Sequence, residues 1–252
     1  MRTIAIVNLK GGVAKTTTAI NLAYILAAER GKKVLVIDAD SQCNTTEFLQ
    51  RDNMHLCTLA DLLRDRPQSD IEHSRFDGVD LLPADEQLMD LDLTKVSTKG
   101  ANAMCLKTLL SDKGVGWMYD YTIIDCPPAF NAASCAALIA ADRVVIPMKL
   151  DAFSLRGMAN ILRQIKNMKS INPKLKIAGI LPTMWYNNKE IVKAEEQLRA
   201  SGLPVFSHIR RTPTVDKMTF QQEPLPISSK NGAATQDYRR FVEELIGGDG
   251  NG

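Results

Sequence analysis

The segment KGGVAKTT at residues 10–17 combines residue types that bind a triphosphate. Gly11 and Gly12 allow the backbone to turn sharply and to approach phosphate oxygens closely. Lys15 supplies a cation for the β- and γ-phosphates, Thr16 supplies a hydroxyl for Mg²⁺, and Thr17 adds a hydroxyl or N–H contact. The segment therefore predicts a phosphate-binding loop. We expect the nucleotide to contact Gly11, Gly12, Val13, Ala14, Lys15, Thr16 and Thr17.

This loop departs from the usual pattern G-x-x-x-x-G-K-[ST] at both of its glycines. Leu9 stands at the first glycine and Ala14 at the last. Because a residue with a Cβ fits this position only at negative φ, we expect a negative φ at Ala14. A second lysine, Lys10, stands where an ordinary nucleotide pocket needs none.

Aspartates follow two apolar runs farther along the chain, in VLVIDAD and YTIID. Ligands of open α/β sheets bind at the carboxyl ends of strands, so these carboxylates are expected beside the loop. Asp125 has the form of an acid that supports Mg²⁺, and Asp40 is the candidate that orients or deprotonates water. We expect Asp38 to be structural. The predicted metal residues are Thr16, Asp40 and Asp125.

Strand and helix patterns alternate along the chain. The predicted strands are 3–8, 33–38, 80–83, 121–125, 143–148, 176–181 and 203–209. The predicted helices are 15–30, 58–65, 101–112, 132–141, 153–171, 188–200 and 231–246. This spacing predicts right-handed crossovers and an α/β fold, with a doubly wound, mostly parallel sheet covered by helices on both faces. We expect one domain at 1–247 and a flexible tail at 248–252.

Composition excludes several classes of protein. The chain has 252 residues, 45% hydrophobic and 24% charged, which suits a globular domain with a sizeable core. Its apolar runs are too short to cross a bilayer, and no secretory signal is expected. Five scattered cysteines without a C-x-x-C pair indicate neither a zinc site nor a disulfide framework, so reduced thiols in a cytoplasm are expected.

Charge is distributed unevenly between the two parts of the chain. Residues 1–150 carry 16 Lys/Arg against 19 Asp/Glu, a net charge of −3. Residues 151–252 carry 15 against 10, a net charge of +5. This asymmetry is compatible with a polyanionic partner for the second part, but on charge alone an ordinary solvated surface is the favoured interpretation.

The three nucleotide motifs resemble those of the ParA/MinD family, the deviant Walker-A P-loop ATPases. They are KGGVAKTTTAINLA, VLVIDADSQCNTT and YTIIDCPPAF. The resemblance continues through IPMKLDAFSLRGMANIL, GILPTMW and GAATQDYRRFVEELI and covers nearly the whole chain. It is strongest for the short ParA (Soj-like) proteins, which have no N-terminal helix-turn-helix. It implies a P-loop NTPase fold, ATP and Mg²⁺ as cofactors, and ATP hydrolysis that is slow alone.

The resemblance also gives the second lysine a role. The family pattern is K-G-G-x-x-K-[ST], in which the first lysine, here Lys10, reaches across an ATP-dependent homodimer to the partner's phosphates. Such a cation neutralises charge between two facing triphosphates, as an arginine finger does. The implied catalytic residues are Lys10, Lys15 and Asp40. Departures from the family at Ala14, Ser41 and Ala129 leave the hydrolysis rate open.

The resemblance further implies a protein that partitions a plasmid, chromosome or mobile element. Such a protein is cytoplasmic and nucleoid-associated, binds DNA without sequence preference, does not bind the membrane, and is stimulated by a ParB-like partner. We expect Pro213 near the adenine. The expected DNA-binding residues are Arg156, Lys189, Arg210, Arg211 and Lys217.

Two alternatives remain open on the same fold. A MinD-like membrane-associated ATPase requires a basic amphipathic C-terminal helix, whereas this one carries Glu243 and Glu244. The second alternative is a metabolic enzyme, either a small-molecule ligase of the dethiobiotin synthetase type or an iron–sulfur reductase of the nitrogenase type. The reductase requires two well-placed cysteines, and neither Cys126 nor Cys135 stands in an obvious position for a cluster.

Overall fold

The computed structural model describes residues 1–51, 57–64, 71–91 and 101–248, without the side chains of 101–102, 152–153 and 155–156. The described residues form a seven-stranded sheet in the order β3-β4-β2-β5-β1-β6-β7, parallel except at the β3–β4 pair. The strands are β1 Arg2–Ile6, β2 Val34–Asp38, β3 Glu72–His73, β4 Val79–Leu82, β5 Tyr121–Asp125, β6 Arg143–Lys149 and β7 Lys176–Thr183.

Helices connect the strands on both sides of the sheet. They are α1 Lys15–Tyr24, α2 Asn44–Leu49, α3 Leu59–Leu63, α4 Ala101–Leu109, α5 Ala132–Ala140, α6 Ala152–Met168, α7 Lys189–Arg199, α8 Pro213–Gln221, α9 Leu225–Ser228 and α10 Ala233–Gly247. A π-helical turn, Ile25–Glu29, continues α1, and 3₁₀ turns span Glu86–Asp90 and Gly116–Met118. No helix of the described ranges is long and apolar enough to cross a membrane.

The apolar strands divide their side chains between two cores. In β2, Leu35 and Ile37 join one cluster, while Val34 and Val36 join the other. Successive strand residues point to opposite faces, so a strand that is apolar throughout must be covered on both sides. Helices α4, α5 and α6 cover one face, and α1 and α10 cover the other. The predicted doubly wound sheet is therefore confirmed.

One predicted strand does not form. Residues 203–209 lie extended beside β7 but make only an isolated bridge, Ile180 to Val205, with the amide of Phe206 bonded to the carbonyl of Ile180 at 2.9 Å. Prolines at 182 and 204 have no N–H, so a continuous ladder between the two segments is not possible.

Several short elements lie outside the predicted pattern. The sequence patterns did not predict four of them: the helices α2, α8 and α9 and the two-residue strand β3. The predicted helix 15–30 is α-helical only as far as Tyr24. Pro213 stands in the first turn of α8, a position at which proline favours the start of a helix. Of the predicted tail, Gly248 closes α10 and residues 249–252 lie outside the described ranges.

Candidate nucleotide site

The phosphate loop occupies residues 7–14, between the end of β1, an inner strand of the sheet, and the start of α1. Its backbone is fixed to neighbouring strands: the amide of Val7 donates to Val145 at 3.0 Å, and Nδ2 of Asn8 donates to the carbonyl of Pro147 at 2.7 Å. Oγ1 of Thr183 donates to the carbonyl of Val13 at 3.1 Å. The loop is therefore preorganised, with the free N–H groups of α1 at its end.

The backbone of Ala14 contradicts the prediction made from its sequence. Its φ is +66°, and Gly12 has the same value. The negative φ expected at Ala14 is wrong because the loop needs a left-handed residue immediately before α1. A side chain in that region costs about 1–2 kcal/mol, which glycine avoids.

Lys15, the first residue of α1, is buried at 7% exposure. Its Nζ donates to the carbonyl of Lys10 at 3.2 Å. Burial lowers the pKa of the ammonium, and the carboxylates of Asp125 and Asp40 oppose that shift. A partly desolvated cation held at a helix N-terminus is a strong site for a phosphate oxygen.

Asp125 ends β5 directly beside this lysine. Its Oδ2 accepts hydrogen bonds from the hydroxyls of Thr16 and Thr45, both at 2.7 Å. Its Oδ1 is buried and has no hydrogen-bond partner among the described residues. Burial raises the pKa of Asp125. An unpartnered buried carboxylate oxygen beside a threonine hydroxyl fits the oxygen ligands that Mg²⁺ takes, directly or through its waters.

Asp38 and Asp40 play different parts in the same region. Asp38 is fully buried and accepts from the amide and hydroxyl of Thr46, both at 2.8 Å, and from the amide of Asp40 at 3.0 Å. These bonds support the structural reading of Asp38, whose pKa is raised by burial and by Asp125. Oδ1 of Asp40 accepts from the amide of Gln42 at 3.1 Å, and its charge acts on Lys15. A metal contact by Asp40 stays a prediction.

Lys10 forms an ion pair within its own chain. Its Nζ lies 2.7 Å from Oδ2 of Asp151 and 3.1 Å from Oγ of Ser154. Asp151 caps α6 by accepting from the amide of Ser154 at 2.8 Å. Burial alone would raise the pKa of Asp151, but hydrogen bonds from Lys10 and Ser154 lower it to about 2. The Lys10 side chain is 39% exposed, so it can exchange partners without leaving a buried site.

A cavity of about 510 Å³ adjoins the loop. Ala14, Thr17 and Pro213 line it, and a contact between Pro213 and the adenine stays a prediction. The buried ring of Tyr238 and the carboxylate of Asp216 also face it. Sequence reasoning did not identify these two residues, because their helices lie far along the chain from the loop.

The predicted DNA-binding residues fall into different settings. Nη2 and Nε of Arg210 donate to Asp237 at 2.7 and 2.8 Å, so the structure uses Arg210 to fix its own segment to α10. Lys189, Arg211 and Lys217 are exposed and make no ion pair with the described residues. Arg156 belongs to α6, but its side chain lies outside the described part of the chain.

Comparison with known proteins agrees with this geometry. A family model described as an AAA domain matches residues 1–177. The chromosome partitioning protein ParA of Caulobacter vibrioides is 32% identical over 253 residues, covering 98% of this chain and 94% of the relative. The chromosome-partitioning ATPase Soj of Thermus thermophilus is 34% identical, covering 98% and 96%. The chain belongs to the ParA/Soj family.

The ParA/Soj fold extends to proteins with other names. A solved structure of cobyrinic acid a,c-diamide synthase from Mycobacterium smegmatis, with bound ATP analogue and magnesium, is similar with a TM-score of 0.84. It is 27% identical, and the similarity covers 100% of this chain and 96% of that one. Proteins with different names share this fold, so the similarity establishes the architecture of the chain but not its activity.

Proposed function

We propose that this ParA/Soj chain is a Mg²⁺-dependent ATPase that works as a dimerising switch in DNA partition. The observation that carries the proposal is the convergence of Lys15, Thr16 and Asp125 at adjacent strand ends. Relatives named as partitioning ATPases and a fold neighbour with an ATP analogue and magnesium support it. ATP and Mg²⁺ are the cofactors for which this site is suited.

Each group at the loop has a distinct task. Lys15 and the first amides of α1 bind the β- and γ-phosphates. Thr16 and Asp125 would hold Mg²⁺, which would neutralise charge on the phosphate oxygens. Asp40 orients the attacking water or accepts its proton. Thr45, which also donates to Asp125, positions that carboxylate.

Lys10 makes the ATPase a switch. When two ATP-loaded subunits face each other, the ammonium leaves Asp151 and Ser154 and binds the partner's triphosphate. The exchange reduces the electrostatic repulsion between two highly charged nucleotides. The free energy gained in this way exceeds the small free energy lost with one surface ion pair. Dimerisation then requires the γ-phosphate, and hydrolysis reverses it.

The dimer binds DNA without sequence preference through exposed cations, chiefly Arg211 and Lys217, with Lys189 and Arg156 as further candidates. Such contacts to phosphates give salt-dependent binding. A ParB-like partner, together with DNA, stimulates hydrolysis and releases the dimer. The protein is accordingly cytoplasmic and associated with the nucleoid.

Hydrolysis and DNA binding test this function together. We expect slow release of phosphate by the protein alone, and a DNA mobility shift with ATP but not with ADP. Lys15→Ala abolishes ATP binding and both activities. Asp40→Ala keeps ATP binding, loses hydrolysis, and remains on DNA. A wild-type protein that hydrolyses ATP but never binds DNA would contradict the proposed role in partition. The assignment as an ATPase would still hold.

A small-molecule ligase is the second candidate, because the similar synthase covers the whole chain at a TM-score of 0.84. That candidate predicts ATP turnover driven by an organic acid and insensitive to DNA. The membrane alternative has less support, because the apolar face of α10 is buried in the protein. That face consists of Tyr238, Phe241, Val242 and Leu245. Co-sedimentation with liposomes and ATP tests it.

A further inference from the structure

Residues 152–176 carry charge of a single sign. This segment includes all of α6 and the start of β7, and it contains six Lys/Arg and no Asp/Glu. The rest of residues 151–252 contains nine Lys/Arg and ten Asp/Glu, so the positive net charge of that part of the chain comes entirely from this segment. Besides Arg156, its cations form what we call the basic stripe: Arg163, Lys166, Lys169, Lys174 and Lys176.

The basic stripe lies on the outer side of α6 and continues past its end. Ile161, Ile165 and Met168 are buried beneath the helix, so Arg163 and Lys166, at the positions between them, point to solvent. All five cations of the stripe are exposed. Amide and hydroxyl side chains are exposed on the same helix or just after it: Asn160, Asn167 and Ser170.

Neighbouring elements do not neutralise the stripe. Helix α5, which packs against α6, has no charged residue, and α7 has three cations and three acids. The nearest acids along the chain are engaged elsewhere, since Asp142 accepts from the amide of Thr3 at 2.9 Å and Asp151 pairs with Lys10. Within the described ranges the cations of the stripe form no ion pair, and Arg163 donates to Oδ1 of Asn160 at 2.9 Å.

The helix dipole accounts for part of this charge. Lys166 and Lys169 lie at the end of α6, where cations are favourable. Arg163 lies a turn earlier, however, and Lys174 and Lys176 lie beyond the helix. Lys166 is three residues from both Arg163 and Lys169, and like charges at that spacing destabilise a helix slightly. Folding therefore does not explain the stripe, and a polyanionic ligand does.

The chemistry of the stripe favours DNA as that ligand. Cations interspersed with amides and hydroxyls are the groups that contact DNA phosphates without reading sequence. The distance from Arg163 to Lys169 is about 9 Å along the helix axis, over which a duplex presents about five phosphate charges. A membrane would also require bulky apolar side chains to enter it, and among described residues 157–176 the exposed one is Ile171.

We propose that the basic stripe binds the phosphate backbone of duplex DNA, on the opposite face of the sheet from Lys217. The inference rests on the proposed DNA-binding function and adds a second surface to it. Helix α6 packs on the same core as α4 and α5, whereas Val215 and Met218 of α8 pack on the other core. The two sets of cations therefore face different sides of the molecule.

Salt dependence of binding to a short duplex tests the stripe, with full-length variants, a non-hydrolysable ATP analogue and Mg²⁺. Arg163→Gln with Lys166→Gln weakens binding and lowers the slope of log affinity against log salt by about 1.8, since each lost phosphate contact removes about 0.9. Arg163→Lys with Lys166→Arg retains both charges and the wild-type slope. The control Lys107→Gln with Lys113→Gln removes two exposed charges near α4 and leaves the slope unchanged.

Two further measurements show that the neutralised variant is intact. Its melting temperature stays within about 2 °C of the wild type, as for other exposed substitutions, and its ATP hydrolysis without DNA is unchanged. Three results overturn the inference: a wild-type slope in the neutralised variant, an equal loss of slope in the Lys107 and Lys113 control, or a loss confined to phosphatidylglycerol vesicles or polyglutamate. A wild-type protein that binds no DNA contradicts the proposed function itself, whereas equal DNA binding by the wild type and the neutralised variant contradicts the stripe alone.

Discussion

Ala14 shows how a single side chain sets the character of the phosphate loop. The residue occupies the left-handed region with φ of +66°, where a Cβ is unfavourable. The strain is held in place by the bonds that tie the loop to β6 and β7. A loop that stores strain beside its nucleotide is common at functional sites, because the surrounding structure over-determines it.

Replacing Ala14 by glycine relieves that strain. Ala14→Gly is expected to stabilise the nucleotide-free protein by about 0.5–1 kcal/mol, the strain relieved less the extra chain entropy of glycine. The melting temperature then rises by about 1–4 °C. The control Ala23→Gly, inside α1 at ordinary helical φ, lowers it instead. If Ala14→Gly and Ala23→Gly lowered the melting temperature equally, the backbone at Ala14 would not be strained.

The Lys10–Asp151 ion pair predicts a dependence of stability on pH. The folded pKa of Asp151, about 2, lies below its unfolded value, so the carboxylate stabilises the fold above the unfolded pKa. That contribution, about 1 kcal/mol after allowance for solvent screening, is lost as pH falls through the folded pKa.

Asp151→Asn isolates this charge. Asparagine is an equally good helix cap, so the bond to the amide of Ser154 is retained. The wild type should melt higher than the variant at pH 7, and the difference should shrink as the pH falls from about 4 towards 2. Calorimetry at a series of pH values measures it. A difference independent of pH would show that the charge contributes nothing.

At the scale of elements, Arg210 and Asp237 join the segment after β7 to α10. Asp237 is 2% exposed in side chain, whereas Arg210 is 43% exposed. Removing the cation leaves a buried carboxylate with only the backbone amide of residue 210 as its donor, at 3.0 Å, which is more costly than the loss of a surface pair.

Arg210→Ala should therefore lower the free energy of unfolding by about 2 kcal/mol. The neighbouring change Arg211→Ala, at an exposed position with no ion pair in the described ranges, should alter it by less than about 0.5 kcal/mol. Denaturant unfolding measures both. If Arg211→Ala proved the more destabilising, the assignment of the two arginines would have to be exchanged.

Sequence reasoning predicted the elements that obey strong periodicity. The strand Tyr121–Asp125 was predicted at its observed bounds, and the loop and its aspartates meet at adjacent strand ends as expected. It did not predict α8, because a helix of nine residues with two apolar side chains inward has weak periodicity. The left-handed φ of Ala14 was also missed, since tertiary bonds rather than local preference impose it.

At the scale of the whole molecule, the proposed function has one chain supply the groups that hold its own nucleotide and one further group, Lys10, that acts on the nucleotide of a partner. In the proposed function Lys15, Thr16 and Asp125 serve the triphosphate within the chain, whereas Lys10 pairs with Asp151 until a partner's nucleotide replaces it. The account therefore requires a second copy of the chain, and nucleotide state must set oligomeric state.

Light scattering on the purified protein with a non-hydrolysable ATP analogue and Mg²⁺ tests this claim most directly. The account predicts twice the monomer mass of 27.8 kDa with the analogue and the monomer mass with ADP. Lys10→Ala should still bind the analogue yet stay monomeric, while Lys15→Ala binds no nucleotide. A wild-type protein that stays monomeric with the analogue bound, or a Lys10→Ala protein that dimerises normally, would contradict the account.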